Sequence, residues 1–229
     1  MQDKVQREPE FDLSAFIRGL AHEIANPLNA VTMNSELVRL LLDRGDSERA
    51  REVVARLSVD CARCSRLMRE LQRFASNLRV QEPVHVSVRD VLDGATRTIA
   101  LEYSGKLPAF SVEAVDANIT VDLQALERAL AALLRNAADA GAEQVTLAAH
   151  REGDVVVIDI RDNGTGLTPA DLLRVDEAFY STRRDNGGLG LGLTLARELL
   201  RLHRGTLAMF SNTPRGARVE VRLPAAAAA

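Results

Sequence analysis

A histidine, a carboxylate and an amide stand close together near the start of the chain, as His22, Glu23 and Asn26. The surrounding apolar positions alternate in steps of three and four, and this heptad pattern places Leu20 and Ile24 on the buried side of a helix. His22 is then predicted to be exposed, with Asn26 one turn further on the same face. An exposed imidazole can act as a nucleophile, and Glu23 can accept the proton of its other ring nitrogen. The alternative is a solvated surface histidine.

A second group that could do chemistry lies at the end of a strand pattern. Val156, Ile158 and Ile160 share one face by the period of two, and Asp162 continues that face towards the interior. A buried carboxylate needs a hydrogen-bond donor, and the amino group of an adenine base would supply one. The stretch from Asn163 to Gly166 then allows the backbone to turn close to a ligand.

An amide and a glycine-rich stretch complete the candidate chemistry. Asn136 lies at the edge of a helical apolar stripe, where its oxygen can ligate Mg²⁺; the alternative is a capping or solvated asparagine. Gly187 to Leu193 opens a predicted helix, and backbone N–H groups at a helix N-terminus suit phosphates. A phosphate-loop NTPase is excluded because no Gly-Lys-Ser/Thr ending is present. A dinucleotide fold is excluded because a polar stretch precedes Gly187 and no acid lies between Phe210 and Arg215.

Composition limits the class of protein. The 229 residues allow one large or two modest domains, and an apolar content of 46% supports a packed core. A net charge of −3 gives no electrostatic reason to expect a nucleic acid or a membrane as partner. No apolar run of membrane-spanning length and no secretory signal are present, so we expect a cytoplasmic protein. Cys61 and Cys64 are expected to pack as small apolar residues, and residues 225–229 to form a tail without function.

The first third of the chain predicts two long helices that pair as an antiparallel hairpin. Asp12 or Ser14 caps the first helix, Arg44 to Asp46 closes it, and the second starts near Asp46 or Ser47. Each helix has a seam, meaning its heptad row of inward positions. The first seam comprises Leu13, Ile17, Leu20, Ile24, Pro27, Val31, Asn34, Val38 and Leu41; the second comprises Ala50, Val54, Leu57, Cys61, Cys64, Met68, Leu71 and Ala75. One hairpin buries both seams poorly, so we expect a four-helix bundle in a homodimer.

Gln81 to Pro83 breaks the helical pattern and predicts a boundary between domains at 1–80 and 81–229. Helices and strands then mix, which is typical of an α/β sandwich with one sheet under several helices. The predicted helices begin at the caps Ser87 and Asp122, near Pro169 and near Leu191. The predicted strands are Ala109–Val115, one near Ile119, Gln144–Ala149, Asp154–Arg161, Thr206–Phe210 and Ala217–Leu223.

These motifs, in this order, resemble the transmitter core of a two-component sensor histidine kinase. His22 to Leu28 resembles the phosphoacceptor box of the dimerisation and histidine phosphotransfer domain. Four further boxes follow: Leu133–Ala140 the N box, Asp162–Leu167 the first glycine box, Glu177–Arg183 the F box, and Gly188–Leu193 the second glycine box. Arg215 to Ala217 is similar to a weak final glycine box. The resemblance covers nearly the whole chain, from about Asp12 to Leu223.

The resemblance implies a Bergerat-type ATP-binding fold, ATP with Mg²⁺ as phosphoryl donor, and the receiver domain of a response regulator as acceptor. It implies His22 as phosphoacceptor, Glu23 and Asn26 as further catalytic residues, and Asn136 as the magnesium ligand. Asn26 additionally suggests phosphatase activity towards the regulator. The implied ATP-binding residues are Asn136, Asp139, Asp162, Gly164, Gly166, Phe179, Thr182, Arg183, Gly188, Leu189, Gly190, Leu191 and Gly192. The segment between Phe179 and Gly188 would be a mobile lid.

The chain departs from the family pattern at the N box, where Ala132 replaces an earlier asparagine and where Asp139 and Ala140 replace a basic or aromatic residue after the asparagine. Arg135, Arg183 and Arg184 are therefore alternative partners for the phosphates. Without a recognisable sensory domain, the chain is expected to be a fragment or a kinase whose sensor is a separate protein. Two other hypotheses are a phosphotransfer protein with a decayed ATP site and a regulatory dimer that binds ATP without catalysis.

Overall fold

The structure, a computed structural model, describes residues 12–114, 116–182, 190–212 and 215–226. The chain divides into two compact units. A helical unit contains residues 12–74 together with 178–182 and 190. An α/β unit contains the described residues of 75–177 and of 191–226. Among the helices in these ranges, none combines the length and apolarity needed to cross a membrane.

The helical unit contains α1, Leu13–Asp43, and, as far as Phe74, α2, Ser47–Asn77. Asp12 caps α1, because its Oδ1 accepts the N–H of Ala15 at 2.8 Å. Gly45 has a φ of 76° in the turn between the helices, which a glycine adopts without steric cost. The two predicted helices are thus confirmed, with ends within one or two residues of those expected.

The seam of α1 faces inward from Leu20 to Leu41, as predicted, but its first two members are wrong. Leu13 and Ile17 are 58% and 54% exposed, whereas Phe16 is buried. The ring of Phe16 stacks on that of Phe74 with centroids 5.2 Å apart. Two aromatic rings bury more apolar area than the predicted partners would, so they decide which face of the helix end turns inward.

The prediction for the seam of α2 is right at every second position, and at the others the inward-facing residue is the one before the predicted residue. Ala50, Leu57, Cys64 and Leu71 face inward as predicted. Inward-facing Val53, Asp60, Leu67 and Phe74 replace the predicted Val54, Cys61, Met68 and Ala75. The cause is that α2 carries two adjacent apolar rows, and the row with Leu67 and Phe74 is buried. Asp60 is tolerated on the inner side because Asn34 Nδ2 donates to its carboxylate at 3.1 Å.

The α/β unit consists of a sheet and the helices that cover it. Its strands are β1 Val84–Ser87, β2 Ala109–Ala114, β3 Asn118–Val121, β4 Gln144–Glu152, β5 Val155–Asp162, β6 Thr206–Ser211 and β7 Ala217–Pro224. Its helices are α3 Val88–Glu102, α4 Leu123–Asp139, α5 Pro169–Arg174 and α6 Gly192–Leu202. Strands β2-β4-β5-β7-β6 form the main sheet, and β1 pairs with β3 separately.

The core lies between one face of the main sheet and the apolar faces of α3, α4 and α6. Along β5, Val156, Ile158 and Ile160 are buried on the same face, as the period of two predicted. The α/β sandwich is confirmed, including the helix caps Ser87 and Asp122. Strand β1 was missed because its four residues are half-exposed or exposed and give no alternating apolar pattern.

Asp122 ties three parts of the α/β unit together. Its carboxylate accepts the backbone N–H of Ala125 at 3.1 Å, which caps α4, and that of Gln81 at 2.5 Å, which holds the entry to the unit. Its own N–H donates to His203 Nε2 at 3.0 Å, beyond the end of α6. Burial alone raises the pKa of Asp122, but these backbone donors and the charge of Arg128 outweigh it, so the pKa lies below its ordinary value.

We expect Asp122→Ala to destabilise the protein by about 1–2 kcal/mol, the usual effect of losing a helix cap. Because the pKa of Asp122 is lowered on folding, its stabilising charge is present above the unfolded-state pKa of about 4 and is lost as the pH falls below that. The difference in free energy of unfolding between wild type and Asp122→Ala should therefore shrink in acid. Urea titrations at pH 7 and pH 3 measure it, and a difference that grows in acid would contradict the assignment.

Candidate functional site

The phosphoacceptor candidate lies on α1 in an open position. His22 is exposed, and Asn26, one turn further along, places its Nδ2 3.2 Å from His22 Nδ1. This is the shared face that the sequence predicted. Glu23, by contrast, is only 7% exposed, although it was expected beside an exposed histidine. In this conformation the polar partner of the imidazole is therefore Asn26.

The contact between His22 and Asn26 decides which ring nitrogen is free to react. If the amide donates to Nδ1, the neutral ring carries its proton on Nε2, and Nε2 has no lone pair to offer. If the amide is turned by 180°, its oxygen accepts a proton from Nδ1, and Nε2 becomes the nucleophile. Asn26 can thus hold either tautomer of His22 by a simple rotation of its side chain.

Pro27 modifies the helix backbone at the same place. It lies inside α1 and is buried. Proline has no N–H, so it cannot donate the intrahelical hydrogen bond to the carbonyl four residues earlier, which is that of Glu23. The helix nonetheless continues to Asp43. The backbone is thereby loosened beside His22 without a break in the helix.

Asp162 ends β5 as a buried carboxylate, 8% exposed, as the strand pattern predicted. Its Oδ1 accepts the backbone N–H of Gly164 at 2.8 Å and that of Ala217 at 3.2 Å. Its Oδ2 accepts no hydrogen bond from the residues that the structure describes. One oxygen is thus fixed by the protein, and the other remains available for a donor from a ligand.

The turn after Asp162 requires glycines because the chain passes close to itself. A Cβ at Gly164 would lie 2.9 Å from the carbonyl oxygen of Ala140, and one at Gly166 would lie 2.7 Å from that of Gly216. Gly216, with a φ of 102°, has no room at all, since a Cβ there would meet the carbonyl of Asp162. Asn163 instead has a structural role, because its Oδ1 accepts the N–H groups that begin β4.

Asn136 faces the start of α6. A Cβ at Gly192, the first residue of α6, would lie 3.4 Å from Asn136 Oδ1, so the glycine leaves the amide open. Leu191 precedes it as a buried N-cap residue without a side-chain cap hydrogen bond in the described structure. A helix start of this kind, beside an amide oxygen, suits phosphate groups and a hard cation.

Other predicted ATP-binding residues have partners within the protein. Asp139 Oδ1 accepts a hydrogen bond from the hydroxyl of Tyr103 at 2.8 Å. Arg135, one of the alternative phosphate partners, pairs with Glu102 at 2.9 Å. Both contacts join the end of α3 to the end of α4, next to Asn136. In this conformation they support the helix that carries the amide.

The predicted site residues are divided between the two units. Phe179, Thr182 and Gly190 belong to the helical unit with His22, Glu23 and Asn26. Phe179 is buried and has a φ of 67°, which is unusual for a residue other than glycine. The α/β unit contains Asn136, Asp139, Asp162, Gly164, Gly166, Leu191 and Gly192. The positions Arg183, Arg184, Gly188 and Leu189 lie outside the described residues.

Sequence reasoning gave too little weight to residues 212–217. Ala217 supplies an N–H to Asp162, Asn212 donates to the carbonyl of Asp162 at 3.0 Å, and Arg215 donates to the carbonyl of Gly164 at 2.8 Å. The signal was the weak final glycine box at Arg215 to Ala217. The contacts of Arg215 and Ala217 hold the end of β5 and the start of β7 together around the carboxylate of Asp162.

Comparison with protein families finds a matching family for the helical part of the chain and another for the α/β part. Residues 12–77 match the His Kinase A (phospho-acceptor) domain. Residues 121–227 match the histidine kinase-, DNA gyrase B- and HSP90-like ATPases. The chain belongs to the histidine kinase family. It carries the two domains of a two-component transmitter core, with His22 inside the first match and Asn136 and Asp162 inside the second.

Individual histidine kinases extend the comparison. The alginate biosynthesis sensor protein KinB of Pseudomonas aeruginosa is 29% identical over 96% of this chain and 38% of its own length. The histidine protein kinase DivJ of Caulobacter vibrioides is 30% identical over 91% of this chain and 37% of its own length. The chain thus spans less than half of these relatives.

Solved structures match the α/β part of the chain. The ATP-binding domain of PrrB from Mycobacterium tuberculosis is 30% identical, with a TM-score of 0.50, over 64% of this chain and 100% of that domain. The mycobacterial sensor histidine kinase MprB is 24% identical, with a TM-score of 0.54, over 62% of this chain and 97% of that structure. The latter likeness concerns the fold alone.

We expect Asp162→Asn to weaken ATP binding while leaving the fold intact. The substitution keeps the shape of the side chain but removes the charged acceptor, and a lost charge-assisted hydrogen bond costs about 1.5–3 kcal/mol, or roughly 10- to 150-fold in affinity. Calorimetric titration with ATP measures the change. Asp154→Asn, an exposed carboxylate in the turn before β5, is the matched control. Equal ATP affinity in wild type and Asp162→Asn would exclude the adenine contact.

Proposed function

We propose that this chain is an ATP-dependent histidine kinase that phosphorylates His22 and then passes the phosphoryl group to an aspartate of a response regulator. The observation that carries the proposal is an exposed His22 on a phosphoacceptor helix, in one chain with a matched ATP-binding domain. Dimerisation and a response regulator as partner are general features of this phosphoacceptor family.

In the proposed reaction, Nε2 of His22 attacks the γ-phosphorus of ATP. A nitrogen–phosphorus bond forms, the bond between the γ-phosphorus and its bridging oxygen breaks, and ADP leaves. The ring then carries a proton on Nδ1 that must be held or removed, and Asn26 or Glu23 would do this. For Glu23, the side chain has to move from its buried position towards the ring.

The ATP site would be formed by the α/β unit. Asp162 Oδ2 would accept the amino group of adenine, and the start of α6 at Gly192 would receive phosphates. Asn136 Oδ1 lies beside that start and is a ligand of the type that Mg²⁺ prefers. A bound Mg²⁺ would neutralise phosphate charge there. The intact Asp162 environment supports ATP binding over a decayed site.

We further propose that the chain acts as a homodimer. Each hairpin exposes large apolar side chains that its own two helices do not cover, among them Leu13, Ile17, Val54 and Met68. Exposed apolar rows on two long helices are buried efficiently when a second hairpin completes a four-helix bundle. The seam members that this chain leaves exposed would then face the second copy.

We expect His22→Ala to retain ATP binding and to incorporate no phosphate from labelled ATP, because the nucleophile is removed. His85→Ala, which alters an exposed histidine on β1, is the matched control and should incorporate label like wild type. The wild-type label should be stable in base and labile in acid, as a phosphoramidate is. Label that persists in His22→Ala would refute the assignment of the phosphoacceptor.

We also propose phosphatase activity that depends on Asn26. Its amide lies one turn from His22 on the exposed face, where it can place a water in line with an aspartyl phosphate. Asn26→Ala should keep autophosphorylation and lose dephosphorylation of the regulator, whereas Asn29→Ala on the same helix should keep both. The assay follows phosphate loss from purified phospho-regulator with ADP and without ATP. Equal rates for wild type and Asn26→Ala would remove this role, and absence of activity in both would leave a kinase alone.

A further inference from the structure

Arg215 is an exposed residue whose guanidinium group is fixed to the backbone of another segment. Its Nε donates to the carbonyl oxygen of Gly164 at 2.8 Å. Gly164 lies in the turn after β5, and Arg215 lies just before β7, so this hydrogen bond joins residues that are 51 positions apart in the sequence. Both residues belong to the α/β unit.

The two segments that Arg215 joins are those that surround the carboxylate of Asp162. Each of them supplies one backbone N–H group to Oδ1 of Asp162. The nitrogen of Gly164 lies 2.8 Å and that of Ala217 lies 3.2 Å from this oxygen. Because Oδ1 is held by two donors, the plane of the carboxylate is set by where these two backbone groups stand. The direction of Oδ2 therefore depends on how firmly the turn and the start of β7 are held together.

The turn needs such a restraint because its second residue is a glycine. A Cβ at Gly164 would lie 2.9 Å from the carbonyl oxygen of Ala140, so a side chain is excluded there. Glycine, however, has more backbone freedom than any other residue. The peptide that follows is held at both polar ends, since its C=O accepts from Arg215 and its N–H, that of Thr165, donates to Ala140 at 3.0 Å. Rotation about the backbone bonds of Gly164 is thereby restricted.

A second arginine makes the same type of contact at a place without a carboxylate of this kind. Arg151 Nε donates to the carbonyl oxygen of Gly153 at 2.7 Å, in the exposed turn between β4 and β5. The bond between an arginine Nε and a glycine carbonyl is thus a general way to hold a turn. What distinguishes Arg215 is that the turn it holds carries a donor to Asp162.

We propose that Arg215 is a positioning residue for recognition of the adenine base. It holds Gly164 and Ala217 where both donate to Oδ1 of Asp162, so that Oδ2 stays directed at the exocyclic amino group of the base. This inference rests on the proposed function, and within it on the adenine contact of Asp162. Arg215 acts through Gly164 and not by touching the nucleotide. Its effect therefore falls on discrimination between bases and leaves the affinity for the triphosphate part unchanged.

Two substitutions separate the hydrogen bond of Arg215 from its charge and its size. Arg215→Met and Arg215→Gln both keep a side chain that reaches the position of Nε, which is a methyl carbon in methionine and an amide nitrogen in glutamine. Only glutamine can donate to the carbonyl of Gly164, and neither residue is charged. Arg151→Met removes the same type of bond from the other turn and is the matched control.

The measurement is calorimetric titration of the full chain with ATP and with the triphosphate of purine riboside, which lacks only the exocyclic amino group. In Arg215→Met the Kd for ATP should rise about three- to tenfold, the range expected for loss of one hydrogen bond, while the Kd for the purine analogue stays within about twofold. Arg215→Gln and Arg151→Met should bind both nucleotides like wild type. Circular dichroism should show an unchanged fold in all three variants.

A double-mutant cycle tests whether Arg215 acts through the carboxylate. In the Asp162→Asn background, Arg215→Met should weaken ATP binding no further, because the acceptor that it positions is already lost. Additive losses in this cycle would overturn the inference. Equal losses for the two nucleotides, or a loss in Arg215→Gln as large as in Arg215→Met, would do the same, since they indicate a direct contact or an effect of charge.

The wild-type protein distinguishes failure of this inference from failure of the proposed adenine contact. If wild type binds ATP no more tightly than the purine analogue, the adenine contact of Asp162 is wrong and the role of Arg215 falls with it. If wild type prefers ATP and Arg215→Met keeps the full preference, the role of Arg215 alone is refuted.

Discussion

The buried carboxylate of Asp162 is the constraint on which the α/β unit depends. A charge in an apolar interior is costly unless donors surround it, and here the donors are backbone N–H groups of Gly164 and Ala217. Meeting that requirement brings the end of β5, the following turn and the start of β7 to one point. The glycines at 164, 166 and 216 follow from it, because three backbone segments cannot approach so closely with side chains between them.

The same constraint explains why the burial of Asp162 in the ATP-binding domain could be predicted from the sequence. The alternation through Val156, Ile158 and Ile160 put Asp162 inside, and an acidic residue inside a sheet indicates a partner. The caps Ser87 and Asp122 were also predictable, since a short polar side chain before an apolar helical pattern has few other uses. Strand β1 was not predictable, because its four residues acquire a partner only when β3 lies beside them.

The helical hairpin shows where sequence periodicity is insufficient. Heptad spacing fixes that a helix has an apolar side, but α2 offers two adjacent apolar rows, and the choice between them was made by Phe16 meeting Phe74. The contact of Phe179 with Phe16 was equally beyond reach, because these two residues lie more than a hundred positions apart in the sequence. A long-range contact of this kind leaves no periodic trace on either partner.

The strand order also has a consequence for how the α/β unit forms. Strands β4 and β5 are joined by a two-residue turn with Gly153 at a φ of 60°, and β6 and β7 are neighbours in both sequence and sheet. Such hairpins close quickly because their loops are short. Strand β2 is different, since it pairs in parallel with β4 across the intervening β3 and α4. The pairing of β5 with β7 closes a longer loop still, since Arg161 lies opposite Arg218. Its larger loop-closure entropy makes the β6–β7 hairpin the part of the sheet expected to join last.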